Sequence, residues 1–269
     1  MTLTWKHFPA GEQGFFRAPV LLSGATEAIL VDGGFTLEDG RAIVAAIQAS
    51  GKKLTTVYVS HSDPDYYFSL QPIRAAFPDA RFMTAPSTFA AIKANVQKKL
   101  ETWGPKLKEN GPRTLADVVI PSPSTDATLA LDGERIEIVE APGMANRRYV
   151  WVPSLSAIFG GVLVFSGVHV WTADTAKPEQ REAWQKSLAE LALREPKVVV
   201  PGHLASAGAL DASAITYTRE YLLAFEEELA KAADSGALIA AMKNRYPAAG
   251  MGVALEIGAK VAKGELQWG

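Results

Sequence analysis

The order of its apolar runs most constrains what this chain can fold into: short β-branched stretches alternate with stretches whose apolar residues recur at helical spacing. Ala18 to Ser23 and Ala28 to Asp32 are two such runs, separated by Gly24-Ala25-Thr26, which reads as a hairpin turn. Leu37 to Ser50 carries Ile43, Val44 and Ile47 on a helical stripe and stops at Gly51, after which Thr55 to Ser60 reads as a strand. A helix over Tyr66 to Ala76 and a strand over Arg81 to Thr84 follow. Ser87 then stands as the cap of a helix bearing Phe89, Ile92, Val96 and Leu100. Alternation of this kind buries its faces only in layers, which sets the class as α/β.

Trp103 to Asp117 is rich in Gly, Pro, Lys and Asn and reads as a long loop or lid. Strand-like runs return at Thr128 to Leu131, Arg135 to Val139 and Tyr149 to Val152, the first two joined by an Asp132-Gly133 turn, and a further apolar run spans Ala157 to Ser166. Glu179 to Leu193 is amphipathic with Trp184, Leu188 and Leu191 inward, and Lys197 to Pro201 is a short buried strand ending at Gly202-His203. Asp211 to Gly264 is helical, with breaks near Gly236 and Pro247.

The 269 residues are 48% hydrophobic, enough for a sizeable core, and one domain over 1–269 is expected. Lys+Arg 27 against Asp+Glu 29 leaves a formal charge of −2, so no basic excess points to nucleic acid or an anionic membrane. No apolar run is long enough to span a bilayer, and the start of the chain does not read as a leader; a soluble cytoplasmic protein is expected, with a small molecule as its partner. The oligomeric state is open, a dimer included. The absence of cysteine removes disulfides, thiolate metal sites and thiol nucleophiles, so any metal must rest on His, Asp, Glu or water.

The chemistry concentrates in Val57 to Phe68, where a strand ends in His61-Ser62-Asp63-Pro64-Asp65-Tyr66. One imidazole and two carboxylates within five residues at a strand end can be aimed at one point. Pro64 biases Asp63 to an extended backbone. The same segment also reads as a plain turn capping the next helix, since Asp favours caps.

The order of these features resembles the metallo-β-lactamase fold superfamily. Its leading motif, His-x-His-x-Asp-His after a strand, is followed by a Pro-Gly-His turn, a Gly-Asp at a strand end and a late Gly-His. The matching segments here are His61 to Tyr66, Ala141-Pro142-Gly143-Met144, Phe159-Gly160-Gly161-Val162 and Pro201-Gly202-His203, and the resemblance runs from Asp32-Gly33 to His203. It implies a four-layer αββα sandwich, here with a helical C-terminal extension over 211–269, and hydrolysis assisted by metal. His61, Asp65 and His203 match ligand positions by identity, and Asp63 substitutes for an imidazole. Tyr66, Met144 and Val162 stand where ligands are lost, and without a carboxylate at Val162 nothing bridges two ions. The expected site is therefore mononuclear, with metal ligands drawn from His61, Asp63, Asp65 and His203. Zinc, manganese or iron is the expected ion, and a metal-free state is the alternative.

With an ion, Asp65 orients or deprotonates water for attack on a small ester, lactone or amide. Without one, Asp63 and Asp65 repel and raise one carboxyl, while Tyr66 and Tyr67 donate to an oxyanion. The competing reading is a catalytically inactive protein that keeps the fold and binds a small molecule. Candidate pocket residues are Asp32, Met144, Val162, His169 and Arg147. Asp32 also reads as a turn former, and His169 as a locally bonded strand residue. Arg147 with Arg148 reads either as a carboxylate or phosphate clamp or as a solvated pair. Lys98, Lys99, Lys106 and Lys108 read as a solvated face, and Trp103, Tyr66, Tyr67, Phe68 and Trp171 as pocket walls or core.

Overall fold

A computed structural model describes residues 2–268. The first half builds a six-stranded sheet from β1 (Thr4–His7), β2 (Val20–Ser23), β3 (Glu27–Val31), β4 (Lys53–Val59), β5 (Arg81–Thr84) and β6 (Ser122–Pro123), in that spatial order. β1, β2 and β3 pair antiparallel, and β3 to β6 run parallel because α1 (Leu37–Ser50), α2 (Leu70–Ala76) and α3 (Pro86–Leu107) make the crossovers. The second sheet has the order β12 (Val198–Val200), β10 (Ala157–Phe159), β9 (Arg148–Val152), β8 (Glu134–Glu140), β7 (Thr128–Leu131). β11 (Phe165–Ser166) and β13 (His203–Leu204) pair parallel beside it. α4 (Pro178–Leu193) joins the second sheet's last strands, and α5 (Ser213–Lys231), α6 (Ser235–Arg245) and α7 (Gly252–Ala262) follow.

Strand periodicity divides the core. In β3 and β4, Ile29, Val31 and Tyr58 face the other sheet and meet Val150, Val152 and Phe159, while Leu30, Val57 and Val59 face the helical layer with Ile43, Ile47 and Ile73. Residues of α4 such as Trp184, Leu188 and Leu191 cover the outer side of the second sheet with Ile158 and Val199. The result is the expected αββα sandwich. None of the helices among the described residues is long and apolar enough to cross a membrane.

Several boundaries depart from the sequence reading for physical reasons. The expected lid from Trp103 is helix as far as Leu107, despite Pro105, and two 3-10 turns follow it. Ile92, Val96 and Leu100 continue as Trp103 and Leu107 on one stripe. Trp103 packs edge-on against Phe15 and Phe35, so tertiary packing overrides Gly104 and Pro105. α3 starts at Pro86 with Ala85 as its cap rather than at Ser87, since proline pre-sets the first turn. The helix expected from Tyr66 begins only at Leu70, because Ser69 is drawn into the Gly33-Gly34 loop: its Oγ accepts from Gly34 N at 2.6 Å. The apolar run of 157–166 splits at Gly160 and Gly161, both at positive φ. At Gly161 a Cβ would lie 2.2 Å from the Arg148 carbonyl, and at Gly202 one would lie 2.0 Å from the Gly161 carbonyl, so these two backbones touch where no side chain fits. The break assigned to Gly236 falls at 232–234, where Asp234 caps α6 by accepting from Ala237 N at 2.8 Å.

Phe159, fully buried between the sheets, should cost about 3–5 kcal/mol of unfolding free energy when replaced by alanine. Leu193→Ala, at a residue 81% exposed, should change it by less than about 0.5 kcal/mol. Urea unfolding of both variants checks the contrast.

Candidate functional site

The strand β4 ends at Val59, and a 3-10 turn, Pro64–Tyr66, carries the chain away, leaving His61, Asp63 and Asp65 at the sheet's end. His61 Nδ1 accepts from Asp63 N at 3.3 Å and lies 3.5 Å from Asp63 Oδ2. Asp63 and Asp65 then part company. Asp63 Oδ1 meets the Lys99 ammonium at 3.0 Å, and ligand atoms of His61, Asp63 and Asp174 all lie within 4.8 Å of one another. Asp65 instead lies beside Arg17 and His203, with Oδ2 3.6 Å from Arg17 Nε and 3.7 Å from His203 Nε2.

Arg17 organises that second half. It is fully buried, its Nη2 donates to Asp32 Oδ2 at 3.2 Å, its Nε to the Asp65 carbonyl at 3.3 Å and its Nη1 to the Gly202 carbonyl. The guanidinium also lies 3.4 Å from the Tyr66 ring centroid. Asp32, in a left-handed conformation, further accepts from Ser60 N at 2.7 Å and Ser60 Oγ at 2.8 Å, and Ser60 Oγ in turn accepts from Gly161 N. Asp32 thus sits at the left-handed turn after β3 and is also the buried partner of Arg17. Tyr66 Oη donates to the Gly161 carbonyl at 3.0 Å, so its hydroxyl ties the two sheets together.

Over these groups opens a cavity lined by Phe15, Trp103, Val162, Trp171, Met251 and Trp268 above Asp63, Asp65, Lys99 and His203. Among the described residues, Asp32, Met144, His169 and Arg147 are not part of this lining. Met144 is buried in the Ala141 to Arg147 turn. His169 faces α5, with Nδ1 3.0 Å from Tyr221 Oη. Arg147 is neither solvated nor free at both ends: Nη1 donates to the Val162 carbonyl at 3.0 Å and the guanidinium stacks 4.3 Å from Trp184. Arg148 is buried as well and pairs with Glu140. Lys99 leaves the expected solvated face because its ammonium is drawn to Asp63, and Lys106 lies 4.4 Å from the Trp103 ring.

The electrostatics follow from burial. His61 is lowered to about 4 by desolvation, and Asp63, which favours its charge, does not compensate. Burial works against the charge of Asp63, yet His61 and the Lys99 ammonium hold its carboxyl below the ordinary range. Burial pushes Asp65 up to about 7; Arg17 opposes the shift and Asp63 adds to it. His203 is lowered to about 3 by burial and then by Arg17. Its Nδ1 lies 2.7 Å from the Phe15 carbonyl, which requires the proton there and turns the Nε2 lone pair towards Asp65.

A donor set of one imidazole and two carboxylates at this spacing fits one divalent ion at His61, Asp63 and Asp174. The Asp65 and His203 side does not fit a second, since the Arg17 guanidinium already supplies the positive charge there. Arg17, Asp174 and Trp268 escape sequence reasoning: Arg17 sits between Phe16 and Ala18 with no motif around it, and Asp174 lies three residues past Trp171. A polar residue flanked by pocket-forming aromatics was the only signal available.

The metallo-beta-lactamase superfamily model matches residues 14–203. The chain belongs to that superfamily. No curated protein matches it. Among solved structures, a metallo-beta-lactamase family protein from Thermus thermophilus is similar at TM-score 0.64 and 17% identity, over 98% of this chain and 92% of that one. A metallo-beta-lactamase from Pontibacter korlensis reaches 0.55 at 18% identity, over 77% and 87%. DIM-1 metallo-beta-lactamase reaches 0.57 at 19%, over 82% and 91%. At such identities the likeness is one of fold.

The lowered His203 predicts a pH effect of definite sign. Its folded pKa, about 3, lies below the unfolded 6.5, so its contribution to stability is complete above pH 6.5 and is lost as pH falls towards 3. Asp65, raised to about 7, runs the opposite way and loses its contribution as pH rises through 7. His203→Asn should therefore flatten the fall in unfolding free energy between pH 6.5 and 5 by one proton's worth, about 1.4 kcal/mol per pH unit, in urea titrations at stepped pH.

Proposed function

We propose that this chain is a single-ion hydrolase of small esters, lactones or amides. The observation that carries the reading is the convergence of His61, Asp63 and Asp174 within 4.8 Å, with Asp63 in the lining of the aromatic cavity and Arg17 closing the half-site beside it. A divalent ion held by those three residues would polarise the substrate carbonyl and acidify bound water. The chain's own groups do the rest. Asp65, fixed by Arg17 and facing the cavity, orients the attacking water and accepts its proton. Lys99, one of its three donors already on Asp63, offers another to the carbonyl oxygen. Tyr66 contributes rigidity rather than an oxyanion donor, because its hydroxyl is committed to Gly161. The tryptophans exclude water from the apolar part of the substrate.

A second reading, a metal-free binding protein, is favoured by Lys99 alone: its ammonium gives Asp63 the positive charge an ion would bring. Elemental analysis after zinc, manganese or iron supplementation separates the two. The hydrolase reading expects about one equivalent of an ion in the parent chain, its loss in His61→Ala and Asp174→Ala, and retention in Asp65→Asn together with a fall in ester turnover of about a hundredfold or more. Lys99→Met should raise ion uptake, as it removes a competing cation from Asp63. No ion in either the parent or Lys99→Met would leave the binding reading.

A further inference from the structure

The cavity wall carries information about the ligand that the polar floor does not. Two aromatic pairs stand in the lining, Phe15 with Trp103 at 5.1 Å and 82°, and Trp171 with Trp268 at 5.2 Å and 70°, with Val162 and Met251 completing it. Trp268 is held in place from two directions. Its Nε1 donates to Asp174 Oδ1 at 3.0 Å, and its ring lies 5.4 Å from Lys99 Nζ. It therefore joins the proposed ligand Asp174 to the apolar wall and fixes the distance between reacting centre and substrate body.

The charges around the floor select against ionic ligands. An anion entering the cavity meets Asp63 and Asp65 in the lining and Asp174 behind Trp268, while Lys99, the cation in that lining, is paired with Asp63, and Arg17 with Asp32 and Asp65. A cation would have to displace Lys99 from a contact of 3.0 Å. A flat, uncharged group gains from every wall, since stacked or edge-on aromatic pairs attract beyond the area they bury.

From this geometry we infer that the cavity takes a neutral aryl ligand, the aryl part of an ester, lactone or amide, and that Trp268 is the residue that sets this specificity. The inference rests on the proposed site for what happens to the ligand, but not for whether it binds.

Isothermal titration of the chelator-treated full chain with 2-acetonaphthone, a neutral aryl ketone that cannot be hydrolysed, tests it. Its two comparators are 2-octanone, which lacks the rings, and 2-naphthoate, which adds a negative charge. The expected result is a Kd for the aryl ketone about tenfold or more below that of either comparator, weakened about tenfold by Trp268→Ala and within about threefold of the parent for Trp268→Phe. Trp103→Leu, on the other wall, should weaken it similarly and serves if Trp268→Ala does not fold. Equal binding of 2-octanone or 2-naphthoate, or a folded Trp268→Ala that binds like the parent, overturns the inference. Ion content measured on the same preparations keeps the two readings apart. Ketone binding without ion uptake retains the ligand class and removes the hydrolase, whereas ion uptake without ketone binding does the reverse.

Discussion

The Arg17 guanidinium is the contact on which the rest of this site depends. It reaches the end of β3 through Asp32, the turn after β4 through Asp65 and Tyr66, and the approach to β13 through Gly202, so one side chain gathers chain segments as much as 185 residues apart. Removing one partner of such a buried pair strands the other charge in a medium that solvates it poorly, a cost of about 3–5 kcal/mol. Ser60 and Gly161 extend the network across both sheets. The sandwich's inner layer is apolar, but its functional end is closed by hydrogen bonds and charge.

That closure explains why the carboxylates two residues apart in sequence behave differently. Asp65 is turned towards Arg17 and His203, and Asp63 towards Lys99, His61 and Asp174. The chain has supplied the first with a permanent cation and left the second with a displaceable one. On the proposed reading, the ion belongs to the displaceable side and proton transfer to the fixed one.

The layers were legible because strand and helix periods are local: the alternation in β3 and β4 and the stripes of α1 and α4 follow directly from residue spacing. The segment His61 to Asp65 and His203 were legible as polar residues at strand ends. What could not be read depends on contacts distant in sequence. Arg17 finds Asp65 48 positions away, Trp268 finds Asp174 94 positions away, and Lys99 leaves a charged face for a carboxylate on another element. The extension of α3 through Pro105 was hidden for the same reason, since Phe15 and Phe35 decide it from afar.

The Arg17 cluster also bears on which substitutions the site tolerates. Placing an imidazole at Tyr66 or a carboxylate at Val162 would leave the guanidinium holding the ground between Asp32 and Asp65. Losing Arg17 first would leave Asp32, fully buried, without its counterion. Arginine and carboxylate are therefore exchangeable only together: a double substitution that removes both charges at once avoids the stranded ion that either single change creates.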